Sequence, residues 1–237
     1  MKSKIILFLF FESFLSASAQ NKTTFGLQYK PIIPAAYFNS TDVSKSSEEY
    51  SFNLTPKYSN SFGMVIRQKI NATFSIESGL NYIQKNHKLS VSNNAIGLDD
   101  YSAFGMRSYE LPLQVLTYVR ASEYWYLNVA FGISHNVLTS DIFSEGEKLD
   151  GFFQNTYRKN RGYRALLANI GMEYKTEEKG HYYFGASLHR PWGEIGRIYP
   201  EYKKDELTFN DENFEDMFFI DMLGTFVTID LRYFFAE

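Results

Sequence analysis

From about residue 23 to the end of the chain, apolar and polar residues alternate with a period of two over long runs. Such alternation puts one class of side chain on each face of an extended strand. The final stretch, GTFVTIDLRYFFAE (224–237), shows it plainly. Val227, Ile229, Leu231, Tyr233 and Phe235 share one side, and Thr228, Asp230, Arg232 and Phe234 share the other. The pattern predicts eight strands, at 23–34, 60–70, 73–88, 105–120, 124–138, 162–175, 181–190 and 218–235. Most exceed the ~5–6 residues usual in globular sheets and approach or pass the ~9–11 that a tilted strand needs to cross a bilayer.

The connections alternate too. Lys69-Ile70-Asn71-Ala72, Arg120-Ala121-Ser122-Glu123 and Thr176-Glu177-Glu178-Lys179-Gly180 are short turns. The connections at 35–59, 89–104, 139–161 and 191–217 are long and polar. Strict alternation of short and long predicts an all-β fold, an eight-stranded antiparallel up-and-down transmembrane β-barrel with short periplasmic turns and long extracellular loops.

A soluble lipocalin-type barrel would also alternate, with its apolar side inward. The polar face decides between the two. It carries small residues and glycines broken by single charges: Ser75, Glu77, Gly79 and Asn81; Asn128, Ala130, Gly132 and Ser134; Asn169, Gly171 and Glu173; Gly185, Ser187 and His189. Glycine weakens a water-exposed strand, but in a narrow lumen small residues make room for a few large polar ones. The opposite face is large and aromatic, as a lipid-facing surface requires. Trp125, Tyr126, Tyr182, Tyr183, Tyr233 and Phe235 all lie beside short turns or the last strand's end. They are expected to form the periplasmic aromatic girdle, with Tyr124 and Phe234 alongside.

The inward positions include Lys30, Arg67, Glu77, Glu110, Glu173, Asp230 and Arg232. Charges in so narrow a lumen need partners. A structural salt-bridge network is expected, with Glu77 and Glu110 as candidates to meet Arg67, and Asp230 beside Arg232. A narrow ion or proton path is the sharper alternative.

The N-terminus reads MKSKIILFLFFESFLSASAQ. Lys2 and Lys4 precede an apolar run, and Ala17-Ser18-Ala19 forms a small-x-small cleavage site. Residues 1–19 are therefore expected to be a secretory signal peptide, leaving 20–237 as one outer-membrane barrel domain. A net charge of −3 gives nucleic acid no basic patch to bind. The chain has no cysteine, and no His or carboxylate spacing resembles a metal site. No cofactor is expected. An aromatic content of 18% beside a polar average suits a β-protein with one apolar face.

Candidate chemistry is sparse. The histidines are His87, His135, His181 and His189. Ser134-His135-Asn136, and Ser187 with His189 and Glu194, were the sets from which a nucleophile–base–acid triad would be drawn. Surface or interior polar roles are the expectation for each histidine, and no catalytic residue is assigned.

SYELPLQVLTYV (108–119), with its in-strand proline, IESGLNYIQKNHKLS (76–90) and VAFGISHNVL (129–138) resemble the PorT-like outer-membrane β-barrel family of Bacteroidetes-type bacteria. The resemblance implies the barrel fold and the cell outer membrane. The family's named member assists a protein secretion and gliding system, and no catalytic residues carry over. The expectation is a non-enzymatic, monomeric, side-chain-plugged barrel in a structural or interaction role. Its partners would be outer-membrane lipid, the assembly machinery during biogenesis, and a protein met through the loops. A small-solute channel and a lipid-modifying enzyme stand as alternatives.

Overall fold

The computed structural model describes residues 22–33, 43–47, 50–95, 97–148, 151–176, 178–202 and 218–236. The signal peptide expected at 1–19 lies outside them, as do parts of the loops at 35–59 and 191–217.

Among the described residues there are fourteen strands: β1 Thr23–Ile33, β2 Val43–Ser47, β3 Tyr50–Pro56, β4 Ser59–Lys69, β5 Phe74–Asn93, β6 Leu98–Arg120, β7 Trp125–Leu138, β8 Ile142–Glu145, β9 Phe152–Arg158, β10 Gly162–Lys175, β11 His181–Pro191, β12 Glu194–Tyr202, β13 Ile220–Leu223 and β14 Phe226–Phe234. Eight of them close a ring. Going round it, β1 pairs with β4, β4 with β5, β5 with β6, β6 with β7, β7 with β10, β10 with β11, β11 with β14 and β14 with β1. Every pair is antiparallel. Closure matters because an unpaired backbone group in hydrocarbon costs several kcal/mol.

The turns at one end are tight for identifiable reasons. Asn71 Oδ1 accepts from the backbone N–H of Thr73 and Phe74, at 2.9 and 2.8 Å, which builds the turn from its own side chain. At the third turn Gly180 has φ +82°, and a Cβ there would lie 2.2 Å from the Phe234 carbonyl oxygen. Only glycine fits that position.

The ring has two weak points, and both involve proline. Pro31 pairs with Asn60 of β4, but the β1–β14 ladder skips from Tyr29–Leu231 to Ile32–Thr228. Likewise Pro112 pairs with Ser134 of β7, but the β5–β6 ladder skips from Ser78–Leu113 to Asn81–Glu110. Proline has no N–H to give its neighbour. At the second gap the Ser78 hydroxyl donates to the Pro112 carbonyl at 2.8 Å, a side-chain repair of a missing ladder bond.

The membrane band is bounded by aromatics. Near the short turns, Trp125 packs tilted against Tyr174 with ring centroids 5.0 Å apart, and Tyr182 against Tyr233 at 5.2 Å. At the other boundary Tyr29, Phe62, Tyr82 and Tyr109 are cross-strand neighbours in one row, with Phe62–Tyr82 and Tyr82–Tyr109 centroids 5.2 and 5.8 Å apart. On β7 the belts lie at Trp125 and beside Val137, about 40 Å apart along the strand and roughly 28 Å in height at a ~45° tilt. That matches a hydrocarbon core. Between the belts Ile170, Phe131 and Phe184 stand 60% exposed or more.

Above the outer belt the molecule departs from the expectation of plain loops. β5 and β6 run on through most of 89–104, the connection at 35–59 contains β2 and β3, and those at 139–161 and 191–217 contain β8, β9 and β12. The strand expected at 218–235 is two, β13 and β14. β8, β9, β12 and β13 form a second sheet. The reason is a reversal of polarity. Inward positions on β5 pass from Glu77 and Asn81 to the fully buried Leu89 and Val91. Its outward positions pass from Ile76, Leu80 and Tyr82 to Lys88, Ser90 and Ser92. β6 reverses at the same level, from inward Gln114 and Glu110 to Met106 and Phe104. Where lipid gives way to water, the outer face must become polar, and the inner face is free to become an ordinary core. That core joins Phe52, Leu54, Leu89, Val91, Phe104, Phe152, Ile195, Ile198, Ile220 and Met222. The cap's outer surface carries exposed ion pairs, among them Arg158–Asp141 at 2.9 Å. The hydrogen bonds from Arg158 hold the Asp141 carboxyl below its ordinary pKa.

Two substitutions separate the barrel from its cap. Ser78→Ala should lower the barrel's unfolding temperature by the equivalent of about 1–3 kcal/mol, because it leaves a carbonyl unsatisfied in hydrocarbon. Ser78→Thr should retain the wild-type value; both are read from the temperature at which gel mobility changes. Ile198→Ala should cost the cap about 2–5 kcal/mol. It should speed protease cleavage within the outer connections and leave the mobility difference between unheated and boiled protein intact.

Candidate functional site

The polar lumen is the largest assembly of ionisable side chains. Six of the seven predicted lumen charges form one chain of contacts. Arg67, on β4, donates to Glu173 Oε2 on β10 at 2.6 Å and, through Nε and Nη2, to Glu77 Oε2 on β5 at 3.2 and 3.1 Å. Arg232, on β14, donates to Glu77 Oε1 through Nη1 and to Asp230 Oδ2 through Nη2, the latter at 2.7 Å. Lys30 Nζ lies 3.6 Å from the same Asp230 oxygen. Three cations face three carboxylates, and all are buried.

The hydrogen bonds complete the carboxylates' shells. Asp230 also accepts from Thr228 Oγ1 at 2.5 Å, Ser187 Oγ at 2.6 Å and Asn169 Nδ2 at 3.0 Å. Arg67 lies over the Phe234 ring at 3.8 Å, and Arg232 over the Tyr183 ring at 4.7 Å. Aromatic faces thus cover the flat sides of both guanidiniums while carboxylates take their edges.

Glu110 stands apart from this group. It was a candidate to meet Arg67; instead Glu173 takes that place. Glu110 accepts from Asn81 Nδ2 at 2.9 Å and lies 3.4 Å from His189 Nε2. Register explains the difference. Arg67 pairs level with Glu77, whereas Glu110 pairs level with Asn81, four residues further towards the outer end of β5.

The girdle assignment needs correcting at Tyr126, Tyr183 and Phe234, the last fully buried under Arg67. Trp125, Tyr182, Tyr233 and Phe235 are exposed or half-exposed on the lipid side. Tyr183 is 3% exposed and inside, its hydroxyl donating to Asn169 Oδ1 at 2.7 Å. It lies across Gly171 and Gly185, where added Cβ atoms would stand 2.2 and 2.1 Å from its hydroxyl oxygen. Tyr126 is also turned inward, with Lys175 Nζ 4.3 Å from its ring centroid. Alternation sends Tyr126, the third ring of Tyr124-Trp125-Tyr126, and Tyr183, the second of Tyr182-Tyr183, into the lumen. Tyr174, absent from the expected girdle, belongs to it.

The candidate triads do not assemble. Ser134 points inward and accepts from Asn136 Nδ2 at 2.8 Å, while His135 points outward. Ser187 donates to Asp230, and His189 stacks on Phe226 at 4.3 Å. Glu194 is held by Lys159 at 2.7 Å in the cap. Among the described residues no three His, Cys, Asp or Glu side chains converge as a metal site would need.

Two cavities open to the lumen's ends. A narrow one of about 50 Å³ lies under the cap, bounded by Ile32, Leu54, Lys85, His87, Met222 and Phe226. A wider one of about 620 Å³ occupies the periplasmic mouth.

The lumen network should behave as a unit. Arg67→Met takes from Glu173 its closest cation, leaving only Lys175 and His181 at 3.5 Å, and removes one of the two arginines on Glu77; it should cost about 3–5 kcal/mol. Adding Glu173→Gln removes one orphaned carboxylate and should recover part of that loss. Thermal unfolding followed by gel mobility or circular dichroism checks both.

The fold has solved counterparts. The crystal structure of the outer membrane protein OprG from Pseudomonas aeruginosa aligns with a TM-score of 0.55 at 10% identity, over 92% of this chain and 98% of that one. The outer membrane protease OmpT from Escherichia coli aligns over 91% and 94%, at 9% identity and a TM-score of 0.32. The likeness of fold rests on the first. No curated protein matches the chain. The family model of the outer membrane protein beta-barrel domain matches residues 19–193. With that match and a closed ring of eight antiparallel strands, this chain belongs to the outer membrane protein beta-barrel domain family and resides in the cell outer membrane.

Proposed function

We propose that the protein is a sealed, non-enzymatic outer-membrane barrel with a structural or interaction role. It holds a folded β-cap on the outer side and offers its surfaces to protein partners. The observation that supports this best is the pairing of a charge-filled lumen with a cap that has its own hydrophobic core. A pore would need neither. The PorT-like sequence resemblance is what supports assistance of a protein secretion system as one form of that role.

A small-solute channel remains the second reading, and one feature favours it. Several buried lumen atoms, including Gln114 Oε1, Asn128 Oδ1 and Asn136 Oδ1, lack hydrogen-bond partners among protein groups. Such atoms mark room for water.

Conductance separates the two. Purified wild-type protein in planar bilayers should show no stable current steps, and Glu77→Ala combined with Arg67→Ala should create them by emptying the centre of the plug. Stable wild-type steps that vanish on those substitutions would establish the channel instead. The secretion role predicts that a deletion strain loses a defined set of proteins from its medium and that the expressed chain restores them.

A further inference from the structure

Among the described residues the periplasmic mouth is rich in cationic side chains, with Lys69, Arg120 and Lys175 in its wall. Its cavity is lined by Lys22, Lys69, Arg120 and Lys175, with Arg67 and Glu173 at the floor. Among the described residues Glu173 is the only carboxylate in that lining, and it is already engaged by Arg67 at 2.6 Å, with Lys175 and His181 each 3.5 Å away. Among the described residues the mouth therefore gathers more cations than carboxylates.

The arrangement follows from strand parity. Lys69 is two residues beyond Arg67 on β4, Arg120 two beyond Tyr118 on β6, and Lys175 two beyond Glu173 on β10. Lys22 precedes Thr24 of β1 with the same parity. Lys69, Arg120 and Lys175 are thus each the last inward position of their strands, and they share the wall of the opening. Lys175 is held in place by two aromatic faces, Tyr118 at 4.8 Å and Tyr126 at 4.3 Å. Arg120 is fixed by the Ser122 carbonyl, to which its Nε donates at 3.0 Å. Thr24, Asn71, Thr73 and Ser75 add neutral polar groups to the wall.

We propose that this mouth is a binding site for a multiply charged oxyanion, phosphate- or carboxylate-bearing, entering from the periplasm. The volume of about 620 Å³ falls within the about 300–1,000 Å³ of small-molecule sites. Converging cations in a walled recess focus their field on its centre. Phosphate and carboxylate oxygens are the groups that lysine and arginine hold best. The chemistry has two sources, a soluble periplasmic anion or an anionic lipid headgroup of the inner leaflet.

The test uses the full mature protein folded in a non-ionic detergent, with tripolyphosphate as probe and calorimetry as readout. Wild-type protein should bind it saturably at 20 mM salt and at least tenfold more weakly at 200 mM. Lys69→Gln with Arg120→Gln and Lys175→Gln should weaken it at least tenfold. Lys69→Arg with Lys175→Arg should bind like wild type. Lys69 is exposed at the rim, so Lys69→Glu alone, checked for an unchanged heat-dependent gel shift, keeps the test valid if the triple variant does not fold. No saturable binding by wild type, or equal binding by the glutamine and glutamate variants, overturns the proposal. Reconstitution then assigns the source. If phosphatidylglycerol in phosphatidylcholine vesicles suppresses probe binding, the occupant is a lipid headgroup. If binding is the same in both vesicles, it is a soluble anion.

Discussion

Every feature of this protein descends from the absence of water in the bilayer. A backbone N–H or C=O in hydrocarbon has no solvent to satisfy it, so the strands must pair around a complete ring. The first and last ring strands, β1 and β14, meet to finish it. The two prolines are costly for the same reason. Each removes a donor from a ladder that cannot borrow one from solvent, and at Pro112 a serine hydroxyl of the neighbouring strand restores one bond across the gap by donating to the proline's own carbonyl. On a soluble sheet that hydroxyl would compete with water and matter little.

Ring closure with eight strands leaves a lumen only wide enough for side chains. The alternation that puts large apolar residues on lipid puts everything else inside, and charges there must neutralise one another. The pairs that result link distant parts of the chain. Arg67 and Glu173 join β4 to β10 across the lumen, and Glu77 with Arg232 ties β5 to β14. These bonds resist flattening of the ring in a way that neighbour-to-neighbour ladders cannot. Glycines enter on the same terms, because Gly171 and Gly185 open the space that Tyr183 fills.

The barrel was legible because period two, strand length and the alternation of connections all report on lipid. Its wall could be read almost strand by strand. What escaped was whatever depends on register between strands or on the water beyond the membrane. Nothing in the sequence near Glu110 shows that it pairs level with Asn81 and not with Arg67's row. Tyr126 and Tyr183 were grouped with their neighbours as one belt, although strict alternation already sends them inward. The cap was missed for a different reason. Its strands keep the period of two, but with the sign reversed, so that Lys88, Ser90 and Ser92 face out and Leu89 and Val91 face in. A polar average over such a segment looks like a loop. The phase of the alternation, not its mean polarity, carries the information, and its reversal at Tyr82 and Tyr109 marks the outer membrane boundary.

The two ends of the barrel are therefore unlike in kind. At the outer end the inward positions turn apolar and fuse with β3, β9, β12 and β13 into a solid core, so the medium outside meets a folded surface. At the inner end the inward positions turn cationic and stay apart, so the periplasm meets a recess. The same parity rule produces both, since each strand simply continues its inner row past the edge of the membrane. An apolar row in water must find other apolar rows and close. A row ending in lysine or arginine, as those of β4, β6 and β10 do, meets water as it is and leaves the recess uncovered. The direction in which the lumen can be reached is thus set by which residue type ends each inward row.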